Sequence, residues 1–406
     1  MNPTPPPGPC PAVVLSCAGA PHGDLNIVRS LGDEGVPVIV VGEDAQAPVR
    51  HSRHVRRFIH LPGFSTEPAR LGETLDALCR EHGRALPVIP SADPDLAALC
   101  ALQARGPVPW RAPVAAPALV RALTDKAAFE ALAREAGLPV PRGRSPATAA
   151  EVEATVAALT FPLIVKPARP RAWAADGVPA DLARTRAVVV ETPRALRDLC
   201  RALAPSGVPP IVQEYVPGTD DAHHDVHAFV DREGRVTTYC GRKWHLHPPQ
   251  VGTGCLVETV HEPELEALAA DVLRRIGFRG IANMNFKRHA VTGAWLLLEI
   301  NPRVSHWNIL ASRAGVNLPW LAWRDLTGAG PVALPPRRVG LWYRHTGQLL
   351  RSLRADLAAG RIGWSGALGA WLRGPVVHQV ADRADPGPMR EALRALGARA
   401  WRRLRR

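Results

Sequence analysis

Two neighbouring segments, GIANMNFK and AWLLLEINPR, constrain this chain more than any other feature of it. Both read as strands, and the short HAVTG connection between them makes a hairpin. A turn centred near Thr292 sets Asn285 opposite Glu299 and Asn283 opposite Asn301. Strand side chains alternate, so these residues share one face. A carboxylate and several amides, with Arg303 just beyond the ladder-stopping Pro302, are poor core material. They suit Mg²⁺ carrying phosphate, because Mg²⁺ takes few protein oxygens and keeps phosphate and water as its other ligands. The candidate metal ligands are therefore Asn285, Glu299 and Asn301, with Mn²⁺ as the alternative ion. The competing reading is a polar, solvent-facing hairpin.

Charge points the same way. Of 50 Lys and Arg residues only four are Lys: Lys126, Lys166, Lys243 and Lys287. Arginine supplies generic positive charge throughout, so the lysines mark places where a compact ammonium meets an oxygen end-on. The formal charge of +13 favours anionic partners without choosing among them. Lys126 lies near the start of the helix TDKAAFEALAREAG, capped by Thr124 or Asp125. The helix macrodipole disfavours a cation there unless an anion joins it. Lys166 closes the apolar strand FPLIVK. In IVQEYVPG, Gln213 and Glu214 end another apolar strand and suit an adenine amine and ribose hydroxyls. Solvated lysines and a plain strand end are the alternatives. The run DDAHHDVH has a metal-site composition, but only alternate strand residues converge and no Cys or HExxH-type spacing accompanies them. A polar loop, or a ribose contact from Asp221 or Asp225, is the better reading.

A chain of 406 residues implies two or three domains. Residues 1–11 are a Pro-rich disordered tail. Residues 12–121 alternate strands and helices as a parallel α/β unit, and within them VRHSRHVRRFIH reads as a solvated basic loop, with binding of phosphate or nucleic acid as the alternative. Residues 122–330 form a second unit in two lobes, about 122–208 and 209–330, and residues 331–406 are a Trp- and Arg-rich C-terminal extension ending in a basic helix. Seven scattered cysteines without a CxxC pair indicate neither a disulfide framework nor a zinc site, and imply a reducing cytoplasm. In the last helix Met389, Leu393, Leu396, Trp401 and Leu404 form a rough apolar stripe beside arginines. Docking on the protein's own surface is the first reading of it, and peripheral contact with a membrane surface the second.

The order DK, FPLIVKP, IVQEYVPG and LLLEINPR resembles the ATP-grasp superfamily. GRKWHLHPPQVGTGCLVET and NPRVSHWNILASRAGVNLPWLAWRDLTG resemble its carboxylate–amine ligases akin to D-aspartate ligase. The resemblance implies an ATP-grasp fold of α/β lobes behind a Rossmann-like domain. It implies ATP and Mg²⁺ as cofactors, and small-molecule carboxylate and amine substrates rather than nucleic acid. Carried over by residue, Lys126 and Lys166 hold the ATP phosphates, and Gln213, Glu214 and the Tyr215 backbone hold the adenosine. Glu299 and Asn301 hold the metal, and Arg303 faces the γ-phosphate. Arg242, Lys243, the VGTG segment and Glu258 are assigned to the acceptor side. Two departures stand out. Position 285 is an amide where a carboxylate is common, although carbamoyl phosphate synthetases also use an amide there. The loop after Lys166 has a single glycine, with Arg169, Arg171, Arg184 or Arg186 in place of a Gly-rich phosphate cover. The implied activity is ATP-dependent amide formation through an acyl phosphate. A kinase-like phosphotransferase or a nucleotide-binding regulator are the alternatives, and carboxylation is disfavoured by the lack of a biotin carrier module.

Overall fold

A computed structural model describes residues 9–19, 23–168, 172–183, 185, 187–374 and 376–404. The expected α/β fold is present, organised around three sheets. In the first, β1 (Ala12–Ser16), β2 (Val38–Gly42), β3 (Val55–His60) and β4 (Val88–Ile89) run parallel in the order β3-β2-β1-β4. β1, β2 and β4 are wholly buried, as continuous Val/Ile/Leu runs require. β3 corrects one expectation: half of the basic segment read as a loop is this edge strand, whose exposed Arg56 and Arg57 blunt an open edge. Cys10 and Pro11, assigned to a disordered tail, are buried, and the Cys10 carbonyl accepts from Trp323 Nε1 at 2.9 Å.

The second sheet is small and antiparallel: β5 (Gly143–Arg144), β6 (Leu163–Lys166), β7 (Val188–Val190) and β8 (Ile211–Glu214), in the order β5-β8-β6-β7. Helices Ala149–Ala158 and Pro193–Leu203 cover one face, where Leu163, Val165, Val190 and Val212 are buried with Leu196 and Leu203. Alternation sends Ile164, Lys166 and Gln213 to the other face.

The third sheet has seven strands: β9 (His223–Val230), β10 (Val236–His247), β11 (Thr253–Val260), β12 (Gly280–Arg288), β13 (Trp295–Asn301), β14 (Trp342–Arg344) and β15 (Val376–His378), in the order β13-β12-β9-β10-β11-β14-β15. Helix Pro263–Arg275 packs Leu265, Ala269 and Val272 against Val226, Ala228, Met284 and Phe286 on one face. The other face is apolar at one end, where Phe229, Tyr239 and Ile281 meet helices of the first unit, and polar at the other. The C-terminal extension is part of this body, since it supplies β14 and β15. It also supplies Asp385, which takes the buried Arg29 guanidinium at 2.9 Å. Breaking a buried pair of this kind from one side costs about 3–5 kcal/mol. Helix Gly387–Leu404 starts on the first unit, where a Cβ at Gly387 would lie 2.0 Å from the His51 carbonyl oxygen. Met389 is 38% and Leu393 58% exposed along it. The seven cysteines are free, and among the described residues no helix is long and apolar enough to cross a membrane.

Candidate active site

The hairpin register follows from alternation. Asn283 faces Asn301 and Asn285 faces Glu299, and β9 extends both rows, with His227 beside Asn283 and Asp225 beside Asn285, and sets His223 beside Lys287 in the next. A bulge after Asn285 shifts the pairing so that Phe286 meets Leu297. Alternation also splits the DDAHHDVH run. His223, Asp225 and His227 point into the polar face, whereas His224 packs edge-on against Trp295 with ring centroids 4.8 Å apart. Trp307 closes the floor, its ring 3.9 Å from His227, and a Cβ at Gly241 would sit 2.5 Å from that indole. No group of three or more His, Cys, Asp or Glu suited to a metal occurs among the described residues. Asn283 Oδ1, His223 Nε2 and His227 Nε2 are buried here without a hydrogen-bond partner. Such atoms are costly and mark a surface shaped for something polar.

All four lysines of the chain lead into this cleft. Lys126 and Lys166 both feel the Glu299 carboxylate, Lys287 feels Lys166, and Lys243 and Lys287 both act on His223. Burial pushes Lys166 down to about 8, aided by repulsion from Lys126. It pushes Lys287 to about 8 as well, against the pull of Asp220 and with the help of Lys166. Lys126 is lowered by burial and partly restored by Glu299. Burial and the surrounding cations hold His223 down to about 2, so its ring is neutral. These ammoniums are destabilised by lost solvent and by one another, which an arriving polyanion would reverse. Lys287 and His223 were not among the sequence candidates, although the scarcity of lysine pointed to Lys287.

Several of the expected residues already have partners within the protein. Asp125 is the helix cap, accepting from Ala127 N and Ala128 N at 3.0 Å, so those amides are taken. Lys126 Nζ reaches instead to the Pro167 carbonyl at 2.7 Å, beside Lys166, which donates to Gln213 Oε1 at 3.1 Å. Gln213 Nε2 lies 3.3 Å from Glu130, whose carboxyl is pushed up by burial. Glu214 accepts from Thr160 N at 3.0 Å and Arg142 Nη1 at 3.2 Å. Of the Tyr215 backbone, expected to meet adenosine, the amide donates to Pro162 O at 3.0 Å, and the Tyr215 ring lies 4.8 Å from Lys287 Nζ. Arg169, Arg171, Arg184 and Arg186 lie outside the described residues.

The acceptor-side set divides, because Arg242 and Lys243 are consecutive on β10 and must face opposite ways. Lys243 Nζ is buried in the cleft, 2.6 Å from Asp225 Oδ1 and hydrogen-bonded to Asn285 Oδ1. Arg242 points away: its guanidinium pairs with Asp221 and lies 4.5 Å from the Trp244 ring. Asp221 is thus engaged by Arg242 rather than open to a ribose. Glu258, opposite Arg242 in register, accepts from Trp244 Nε1 at 2.8 Å. Thr253 and Gly254 of the VGTG segment open β11.

Arg303 forks onto Asp93 of the first unit, with Nη2 3.0 Å from Oδ2 and Nε bonded to Oδ1. Asp93 opens the helix Asp93–Gln103 after β4, and no local pattern links it to a residue 210 positions away. Glu299 is exposed, and its Oε1 accepts from Asn301 Nδ2 at 3.2 Å, leaving the Asn301 oxygen for a ligand. This pair fits a Mg²⁺ ion that arrives with phosphate oxygens and water. Asn285 does not complete the set as expected, since its oxygen is held by the Lys243 ammonium.

Residues 208–348 match the model of a family described as ATP-grasp in the biosynthetic pathway with Ter operon. The N-terminal section of the carbamoyl phosphate synthase large chain of Methanopyrus kandleri is 28% identical over 205 residues, which is 48% of this chain and 34% of that protein. The chain therefore spans about a third of that relative's length. Among solved structures, N5-carboxyaminoimidazole synthetase from Staphylococcus aureus with ADP superposes with a TM-score of 0.61 at 14% identity, covering 82% of this chain and 81% of that one. The biotin carboxylase domain dimer of Hydrogenobacter thermophilus 2-oxoglutarate carboxylase, with MgADP, ADP and bicarbonate, gives 0.60 at 13% identity, covering 82% and 73%.

Proposed function

We propose that the chain is an ATP-grasp enzyme, an ATP- and Mg²⁺-dependent ligase that joins a carboxylate to an amine through an acyl phosphate. The observation that carries this reading is the convergence of every lysine of an otherwise arginine-charged chain on the cleft that contains Glu299 and Asn301. Lys126 and Lys166 hold the phosphates of ATP, Gln213 and Glu214 the adenosine, and Glu299 and Asn301 the metal. Bound there, Mg²⁺ would neutralise phosphate oxygens and align the γ-phosphoryl group. Arg303, oriented by its fork onto Asp93, stabilises the charge that develops on that group. Lys243, fixed by Asp225 and Asn285, presents a buried positive charge to the same region. A carboxylate oxygen attacks the γ-phosphorus and ADP leaves. The amine then attacks the acyl carbon, phosphate departs with one carboxylate oxygen, and the amine nitrogen loses a proton.

A second reading takes bicarbonate as the carboxylate. It is favoured by the structural neighbour solved with that anion and ADP, and does not require a biotin carrier in this chain. One experiment separates the possibilities. Candidate carboxylates, bicarbonate included, are paired with amines, and ADP release and product mass are read. With the carboxylate labelled by heavy oxygen, one label should appear in inorganic phosphate as the amide forms. AMP and pyrophosphate would mean adenylation, and phosphate retained on an acceptor a phosphotransferase. No turnover with any pair, in protein that binds ATP, would leave a nucleotide-binding regulator.

A further inference from the structure

The helix Trp364–Trp371, in the C-terminal extension, is oriented the wrong way for a protein surface left bare. Its buried side consists of small residues: Ala367 and Ala370 pack onto Leu349, Leu353 and Trp342. Its large apolar residues point outward, with Trp364 81%, Leu368 58%, Trp371 36% and Leu372 70% exposed. The spacing of 0, 4, 7 and 8 places all four within one helical stripe. Ordinary surface helices show the opposite arrangement, and a contiguous exposed apolar stripe marks an interaction surface. The helix is firmly seated. Arg344 Nη2 donates to the Trp371 and Arg373 carbonyls at 2.6 and 2.9 Å, and its guanidinium lies 5.0 Å from the Trp371 ring.

The charge around this stripe narrows the occupant. Residues 331–386, the extension without its last helix, contain eight Arg and no Lys against three acidic residues. Arg361 and Arg373 flank the helix, and Arg351 and Arg354 are exposed on the adjacent helix Thr346–Ala358. A second copy of the chain would bring two such arginine-rich surfaces face to face, which like-charge repulsion opposes. One short helix offers less than the roughly 800 Å² per partner of a stable protein interface. A lipid surface needs neither a groove nor that area. Trp and Leu enter the headgroup boundary while arginines meet anionic headgroups.

We propose that helix Trp364–Trp371 docks the protein peripherally on an anionic lipid surface, with Trp364, Leu368 and Leu372 inserted and the neighbouring arginines on the headgroups. This site is distinct from the C-terminal helix Gly387–Leu404 and independent of the proposed reaction. The test is flotation of the full chain with vesicles of phosphatidylcholine alone or mixed with phosphatidylglycerol. Binding is expected to the mixed vesicles only and to weaken with added salt. The triple variant Trp364→Ser, Leu368→Ser, Leu372→Ser should bind at least tenfold more weakly with its thermal midpoint preserved, because these side chains are exposed. A chain ending before Gly387 should bind like the full chain. Failure of the full chain to float at low salt, undiminished binding by the triple variant, or loss of binding on removing only the last helix would each overturn the proposal. So would a dimer in sedimentation that the triple variant dissolves while vesicles capture neither.

Discussion

Lysines that burial in the cleft holds near pKa 8 should take up protons when a nucleotide arrives. Lys166 and Lys287 are each lowered to about 8 by burial and, for both, by a neighbouring ammonium. An anionic phosphate favours the charged form and returns them towards the ordinary lysine value. The sign follows directly: the affinity contributed by each is fully present below about pH 8 and is lost as pH rises through it, up to tenfold per unit per lysine. At pH 8 each is about half protonated when free, so binding takes up about one proton in total, falling to ~0.2 at pH 7 and rising to ~1.8 at pH 9. The perturbation is Lys287→Met, which should halve the uptake at pH 8. Calorimetric titration with MgATP, or with a non-hydrolysable analogue, in buffers of different ionisation enthalpy measures the proton count directly. An enthalpy independent of buffer at pH 8, or an uptake untouched by both Lys287→Met and Lys166→Met, would refute the siting of these ammoniums within reach of the bound nucleotide's charge.

Glu299→Gln should leave the thermal midpoint nearly unchanged, since the side chain is exposed, yet lower ATP turnover about a hundredfold or more by removing the carboxylate of the metal pair; undiminished turnover would remove the metal assignment. Asp93→Asn keeps the size of its side chain but loses the charge that holds Arg303, so kcat should fall about tenfold with the KM for ATP little changed, and a change confined to KM would show that the fork serves binding instead.

The hairpin could be read from sequence because a period of two leaves no freedom once the turn is located, and Asn285 then had to meet Glu299. The same rule was available for Arg242 and Lys243, whose consecutive positions on a strand exclude a shared face, and applying it would have kept only Lys243 in the cleft. Other features depend on how separate units close on one another. The Arg303 fork on Asp93 joins residues from different sheets, and Lys287 gains meaning only when β6 brings Lys166 towards it. The short strands β14 and β15 are three residues each and have no alternation to detect, so the extension looked like an appendage when it is the edge of the largest sheet.

The absence of lysine outside the cleft has a practical consequence. Reagents that acylate amines find no lysine on the arginine-covered exterior, where guanidiniums do not react with them, and besides the chain's own α-amino group their targets are the four cleft side chains. Two of those have pKa values of about 8 and so carry a large neutral, nucleophilic fraction under mild alkaline conditions. Amine-directed labels thus become site-directed probes without mutagenesis, and the rate at which ATP shields them is a readout of occupancy that needs no knowledge of either substrate.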